Sequence, residues 1–329
     1  MANTSGSGTS WNLPNYIGTI YMVGSNNKTP FLNMMGGLEG GGVRLVGDQQ
    51  FAVSQPYDLA TGSNATISES ASVSGPPTVY QYVRSADYNT TQIVQRAVSV
   101  SYTKLSVAGQ VQTDVTTGST NTMVDASEWN PAGNELDFQI NSNLKQIAKN
   151  LEHACFQGTY NQAKSASEPA ATRGLEEVAA LSGSSTVAAG SVDLSKDLIN
   201  ELLRDMLDKG AEFENPVIFC NAFQKQQISN EYGYEPESRD VGGVNIQQII
   251  TDFAMLGVAY SPQVSTDAIV IADMAYCHPV WLPVPGKGVL FYEELSKTGA
   301  SERGQIFGQF GLDYGPKEFI GKISGLSVS

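Results

Sequence analysis

A chain of 329 residues with 41% hydrophobic and only 16% charged residues can bury one large or two ordinary cores, which excludes a disordered or low-complexity protein. Its 33 acidic residues against 19 basic ones give a formal charge of -14; a surface this acidic is not built to grip phosphates, a task for clustered Lys and Arg, and close to DNA it would avoid sticking to it. The first residues form neither a charged nor an apolar leader, and no apolar run approaches the ~18 residues of a spanning helix, so a soluble protein made inside a cell is expected.

Residues 1–10 are small and polar. An apolar segment follows, with Trp11, Leu13, Tyr16, Ile17, Tyr21, Met22, Phe31, Leu32, Met34 and Met35, broken by Pro14, Gly18, Gly24 and Pro30. It cannot form a core alone and reads as an arm laid across another surface, such as a neighbouring subunit. Removing residues 1–35 is therefore expected to leave a foldable subunit that fails to assemble. From Phe51 to Leu105 the pattern has period two: Phe51 and Val53 in one run, Val94, Val98, Val100 and Tyr102 in another. Between them residues 61–77 are dense in Ser, Thr, Gly and Pro. Two strands with a long soft tip predict an extended hairpin, which is marginal in water unless it docks against something.

Residues 131–158 carry Leu136, Ile140, Leu144, Ile147, Ala148, Leu151 and Cys155 at helical spacing, with Asn141, Gln146, Lys149 and Glu152 on other faces. Pro131 suits a first helical turn and Gly158 a left-handed stop. This long helix is the spine of the chain. A second amphipathic helix is expected from Asp193 to Gly210, with Leu194, Leu198, Leu202 and Met206 inward and Ile199, Leu203 and Leu207 widening the face. The apolar runs 216–220 and 268–272 read as buried strands around a helix at 222–228, a sandwiched mixed sheet. Residues 230–243 are polar and read as a surface loop. At the end, Ile306, Phe310, Leu312 and Tyr314 return to period two, and the turn at Tyr314-Gly-Pro316 predicts a hairpin closed by Phe319 to Ile323, packed beside the spine.

Chemistry finds little support. Cys155, Cys220 and Cys277 are widely spaced in apolar runs and read as buried free thiols; His153 and His278 beside two of them could complete a zinc site, but the spacing is too tight for a finger or ribbon. There is no G-x-S-x-G, and the glycines from Gly36 to Gly42 and from Gly286 to Gly288 lack the phosphate-loop pattern. Glu176/Glu177 and Glu293/Glu294 are adjacent pairs, which read as solvated charge. Tyr80 and Tyr82 with Arg84 could stack bases but have too few basic neighbours. No catalytic, cofactor or metal site is expected, and the chain does not read as an enzyme; a hydrolase would need a clustered site that the sequence does not offer.

The order of parts, together with Thr29-Pro-Phe-Leu32 and Gly36, Asn143-Leu-Lys145 through Glu152 to Gly158, Thr251-Asp-Phe253, Asp273, Glu294-Leu-Ser-Lys-Thr-Gly299, Gln305-Ile-Phe-Gly308 and Gly321-Lys-Ile-Ser-Gly-Leu326, resembles the Hong Kong 97 type major capsid proteins of tailed bacteriophages. The branch it is most similar to is that of the coliphage SU-ten. The resemblance implies an α+β fold: an N-terminal arm (1–45), an extended β-hairpin loop (46–110), a peripheral domain with the spine helix (111–165 and 300–329) and a mixed α/β axial domain (166–299). It also implies a virion coat protein forming hexamers and pentamers of an icosahedral shell around double-stranded DNA, assembled in the host bacterial cytoplasm, with no membrane contact and no sequence-specific DNA binding. Implied partners are further copies, a portal and a separate scaffolding protein, with a decoration protein as an optional addition. Candidate contacts between subunits are Trp11, Tyr16, Phe31, Leu32, Met35, Tyr80, Tyr82, Tyr232 and Tyr234, and the loop 230–243 is the candidate for the symmetry axis. Between Gln49 and Lys104 the only basic residues are Arg84 and Arg96, so no isopeptide crosslink from a loop lysine is expected. An encapsulin-like compartment shares the fold and would package an enzyme instead of DNA.

Overall fold

The computed structural model describes residues 28–36, 42–54, 68–75, 86–102, 135–232, 238–241 and 244–328. The first part contains α1 (Pro30–Met34), β1 (Arg44–Leu45), β2 (Gln50–Ala52), α2 (Glu69–Ser74), β3 (Tyr88–Thr90) and β4 (Gln92–Ser101). The spine helix α3 (Glu135–Gln157) follows, then α4 (Leu175–Val178), β5 (Ser185–Ala188), α5 (Lys196–Asp208), β6 (Pro216–Cys220) and α6 (Ala222–Tyr232). The rest is strands: β7 (Ser238–Val241), β8 (Val244–Ile250), β9 (Met255–Tyr260), β10 (Ile269–Asp273), β11 (His278–Trp281), β12 (Leu290–Glu294), β13 (Ser301–Asp313) and β14 (Ile320–Ser324).

The spine forms where its apolar spacing predicts, with Ile147, Leu151, Ala154, Cys155 and Phe156 buried. Gly158 ends it for a different reason from the expected one. Its backbone is not left-handed; a Cβ there would sit 2.5 Å from the Thr172 carbonyl oxygen, because the returning chain hydrogen-bonds the Gly158 carbonyl through Gly174 N–H at 2.7 Å. Only a residue without a side chain lets the two backbones meet.

Two sheets flank this helix. In the smaller, β13 runs antiparallel to β4 along one edge (Ser301↔Ser101 to Phe310↔Gln92) and to β11 and β12 along the other, with β1 parallel to β11. The larger has the order β5-β14-β10-β6-β9-β8-β7. Strands β6 and β10 are buried on both faces, as their unbroken apolar runs require. Val217, Phe219, Val270 and Ala272 face the spine, while Ile218, Cys220, Ile269 and Ile271 face α5 through Ile199, Leu202, Leu203 and Met206. Helix α5 starts two residues later than expected: Ser195, not Asp193, caps it by accepting from Leu198 N–H, and Leu207 is 37% exposed.

Three topological expectations fail. The C-terminal strands are not a hairpin: β13 stays in the small sheet beside the spine, whereas β14 crosses to the large one, between β10 and β5. The loop does close as an antiparallel pair, but its first arm meets the returning chain at β3 (Gln50↔Thr90, Ala52↔Tyr88), ahead of the run expected to pair with it, which as β4 takes β13 as its partner. Within 230–243, α6 runs on to Tyr232 and 238–241 is a strand paired with β8, so the segment is only partly a loop. β11 and β12 share a sheet with β13, whereas β14 lies in the large sheet.

Candidate functional site: the anchored roots of the arm and loop

Two buried carboxylates hold the arm and the loop to the body. Glu152 belongs to the spine's closing turns, where Leu151, Ala154, Cys155 and Phe156 leave it no route to water. It accepts the Phe31 N–H at 3.1 Å, the Leu32 N–H at 2.9 Å and the Ser261 hydroxyl at 3.1 Å. The first two donors are the open N–H groups at the start of α1, which Thr29 does not cap with its side chain. One carboxylate thus ties the arm, the spine and the large sheet together. Burial raises its pKa from 4.5 to about 7, against the lowering effect of the Leu32 and Phe31 N–H groups and the Ser261 hydroxyl.

Around it, Phe31, Phe156 and Phe219 form a closed aromatic triangle with centroids 5.2, 5.3 and 5.4 Å apart. Phe31, Leu32 and Met35 are at most 5% exposed, so they are spent inside their own subunit rather than offered to a neighbour. The arm's second half is core, which corrects both their placement as contacts and the expectation that residues 1–35 are dispensable for folding.

Asp313, at the end of β13, is the second anchor. It accepts from Ser54 N–H (3.1 Å), the Ser54 hydroxyl (2.9 Å), Gly315 N–H (3.1 Å) and the Arg44 guanidinium. Beside it the Phe51 ring lies over Gly311, where a Cβ would approach it to 2.7 Å. The buried Asn89 adds a bond from its amide to the Leu312 carbonyl at 2.7 Å and accepts from Arg173 N–H at 2.8 Å. Both ends of the loop are therefore fixed to one strand. Further out, every described side chain between 68 and 75 is exposed, Val73 to 84%.

Tyr232, at the end of α6, is half-buried; the Lys196 ammonium sits over its ring at 5.0 Å, and its hydroxyl has no partner among the described residues. Trp11, Tyr16, Tyr80, Tyr82 and Tyr234 lie outside the described residues. Glu176 and Glu177 are not solvated charge: Glu176 accepts from Ser265 N–H and hydroxyl and pairs with Lys322 at 2.8 Å, and Glu177 accepts from Tyr160 N–H at 2.6 Å and pairs with Arg173. Cys155, Cys220 and Cys277 are buried thiols, and burial drives all three pKa values up, that of Cys220 to about 12. Among the described residues no three His, Cys, Asp or Glu side chains group to hold a metal, and no helix is long and apolar enough to cross a membrane.

Sequence reasoning placed Glu152 outside the apolar stripe. The signal available was its neighbourhood: Leu151 before it and Ala154, Cys155 and Phe156 after it wrap the helix on nearly every side. A carboxylate there, near a C-terminus whose dipole disfavours it, needs a local donor set.

Comparison with known proteins gives the geometry its context. The sequence model of the family described as SU10 major capsid protein matches residues 3–327. No curated protein sequence matches the chain. Among solved structures the fold is similar to the cyanophage A-1(L) capsid (10% identity, TM-score 0.59, 98% of this chain and 99% of that one). It is also similar to the capsid of a native GTA particle (13%, 0.54, 99% and 100%) and to the holo-SrpI encapsulin of Synechococcus elongatus (12%, 0.55, 87% and 85%).

Proposed function

The chain belongs to the SU10 major capsid protein family and is a tailed-phage major capsid protein of the Hong Kong 97 type, and we propose that it closes as hexamers and pentamers into an icosahedral shell around double-stranded DNA. The observation that carries this is the family match across residues 3–327. The two anchored roots add a physical reason, since they preset where the arm and loop leave the body. Assembly is mechanical: many contacts, each weak alone, sum in a closed symmetric object.

The finer reading keeps the arm at 1–45 and the loop at 46–110. Sheet membership favours counting 278–294 with the peripheral body and 320–324 with the axial one. Trp11, Tyr16, Tyr80, Tyr82, Tyr232 and Tyr234 remain the proposed contacts between subunits, and 230–243 the proposed axial segment. A portal and a separate scaffolding protein are the proposed partners in the host cytoplasm, a decoration protein an optional one. With Arg84 and Arg96 as the only basic residues between Gln49 and Lys104, neighbours are not welded through a loop lysine; a covalent ladder on denaturing electrophoresis mapped to that loop would refute this.

Expression of the full chain, alone and with a scaffolding protein, followed by negative-stain microscopy and analytical ultracentrifugation, tests the proposal. Shells or capsomers are expected. A monodisperse monomer under both conditions would overturn it, and shells filled with a packaged enzyme would favour the encapsulin-like alternative. Deleting residues 1–27, which spares α1, should leave a folded subunit that assembles poorly.

A further inference from the structure

The spine and α1 cover part of one face of the large sheet and leave the rest open. Val217 of β6, Gly257 of β9 and Gln248 of β8 stand side by side in register, and Met255 and Ala259 share that face of β9. Ala259 is fully buried in the core that holds Phe31 and Phe156. Back along the strand the cover ends. Gly257 is half-buried and Met255 is 53% exposed, and Ile250, opposite Met255 on β8, is 65% exposed. Phe253, in the turn between the two strands, is 40% exposed.

This surface is preformed. Thr251 closes the turn by donating its N–H (3.1 Å) and its hydroxyl (2.7 Å) to the Ala254 carbonyl, and its hydroxyl oxygen accepts the Ala254 N–H at 3.1 Å. Gly257 contributes no side chain, and a notch of about 120 Å³ opens beside it, lined by Glu214, Pro216, Val217, Gln248 and Met255. A cavity of roughly 150 Å³ holds a benzene ring, so the notch suits one large side chain. Three large apolar side chains exposed together around it mark an interaction surface.

Charge selects the occupant. Glu214 at the notch, Glu212 before it and Asp252 in the turn are all exposed. Exposed apolar side chains elsewhere bring like charge with them: Val73 has Glu69 one turn away on α2, Val192 has Asp193 beside it and Leu295 has Glu294. The arm does not. Residues 1–27, outside the described residues, hold Trp11, Leu13, Tyr16, Ile17, Tyr21 and Met22 and no charged side chain, in a chain with 33 acidic residues. The arm also joins the body on this sheet: the Lys28 ammonium lies 5.7 Å from the centroid of the Tyr260 ring, at the far end of β9 from Met255, about 17 Å along the strand. From Lys28 back to Trp11 an extended chain reaches about 55 Å. A compact chain of this length has a radius of gyration of about 20 Å, so that reach extends to the same surface on a neighbouring copy.

We propose that the uncovered end of β8 and β9 is the receptor for residues 11–22 of a neighbouring copy, with one aromatic side chain of that segment in the notch. This rests on the coat-protein assembly proposed above and names the surface that the arm meets. An aromatic ring packed on Met255 and Pro216 keeps a polar tip, the hydroxyl of Tyr or the N–H of Trp, within reach of Gln248 and Glu214. The contact is heterologous, the arm of one copy on the sheet of the next, so repetition by rotation closes a ring.

The photo-crosslinking residue p-benzoylphenylalanine, placed at Met255 of the full-length chain expressed with a scaffolding protein, tests this by irradiation, denaturing electrophoresis and peptide mapping. Products of dimer size and larger, joined through residues 11–22, are expected. A crosslinked product of monomer size, crosslinks to another segment, or none, overturns the proposal. The same residue at Ile250 repeats the measurement where the Met255 variant does not assemble. Ile250→Glu with Met255→Glu, both at exposed positions, should leave thermal unfolding unchanged and lower the fraction of chain sedimenting as shells or capsomers about as much as deletion of residues 1–27 does. Combining the two changes should lower it no further, and additive losses count against a shared contact. Negative-stain microscopy of the same samples separates this inference from the reading it rests on: shells whose crosslinks avoid residues 11–22 sink the receptor alone, whereas monomers throughout sink both.

Discussion

Glu152→Gln is the sharpest probe of the arm's anchor, because it keeps the size of the side chain and removes the charge. The wild-type carboxyl titrates near 7 in the folded subunit and near 4.5 when unfolded, so between those values the folded state holds the proton and the unfolded state does not. The stability contributed by the neutral form is thus full below about pH 4.5 and is lost as pH rises through about 7. A displacement from 4.5 to about 7 corresponds to about 3 kcal/mol, or roughly 5 °C in Tm for a chain of this length. Gln has no such dependence. Its oxygen can still accept from Phe31 or Leu32 N–H, but its own NH2 then faces a donor, at a cost of about 1–3 kcal/mol. Of the two conditions wild type should therefore exceed the variant more at pH 5, and the gap should shrink by about 2.5 kcal/mol at pH 8. Thermal denaturation of both proteins at the two pH values measures it, and taking their difference cancels the other carboxylates. An unchanged gap would mean that Glu152 is not the buried acid described.

The other anchors and the core give further expectations. Asp313→Ala strips the acceptor from Ser54 and Gly315 and the counter-charge from Arg44, so a loss of about 2–4 kcal/mol is expected. Limited proteolysis within 46–110 should accelerate, and unchanged nicking there would count against a clamped loop root. Gly158→Ala forces the spine's end away from Thr172 and should cost about 2–4 kcal/mol in denaturant unfolding; a change below about 0.5 would show that the close approach can relax. Phe219→Ala opens the aromatic triangle beneath α1, with an expected loss of about 3–5 kcal/mol by the same assay; a loss under 1 would mean the neighbouring rings collapse into the gap.

What could be read from the sequence was whatever a local period dictates. The apolar stripe of the spine, the face of α5 and the unbroken runs of β6 and β10 each specify an element and its buried side before any partner is known. Pairing between distant strands carries no such signal. The turn at Gly315 makes a hairpin of β13 and β14 look natural, yet Gly321 fits under Met206 and Leu202 of α5, so β14 belongs where those side chains are. β4 likewise alternates as it should without saying that β13, two hundred residues on, is its partner. The anchors were hidden for another reason. Glu152, Glu176 and Asp313 are acidic residues in a chain rich in them, and only the donors brought together by the fold distinguish a buried acceptor from a solvated one.

The placement of these anchors bears on how a shell can be built from one chain. A six-residue helix such as α2, exposed on every described side, has too few hydrogen bonds to be stable in water by itself. Its order depends on what it docks against. If its root were equally loose, docking would have to order the loop and aim it at once, and each subunit would lose that entropy on joining. Asp313, Asn89 and the Phe51 ring remove the second part of the cost by fixing both loop ends on β13, as Glu152 does for the arm. The subunit is then rigid where direction matters and exposed where a neighbour has to complete it. Weak contacts can therefore add to a closed shell without a covalent weld, and the buried acids at the roots, rather than the tips, are where a single substitution should misdirect assembly while leaving the contact surfaces chemically intact.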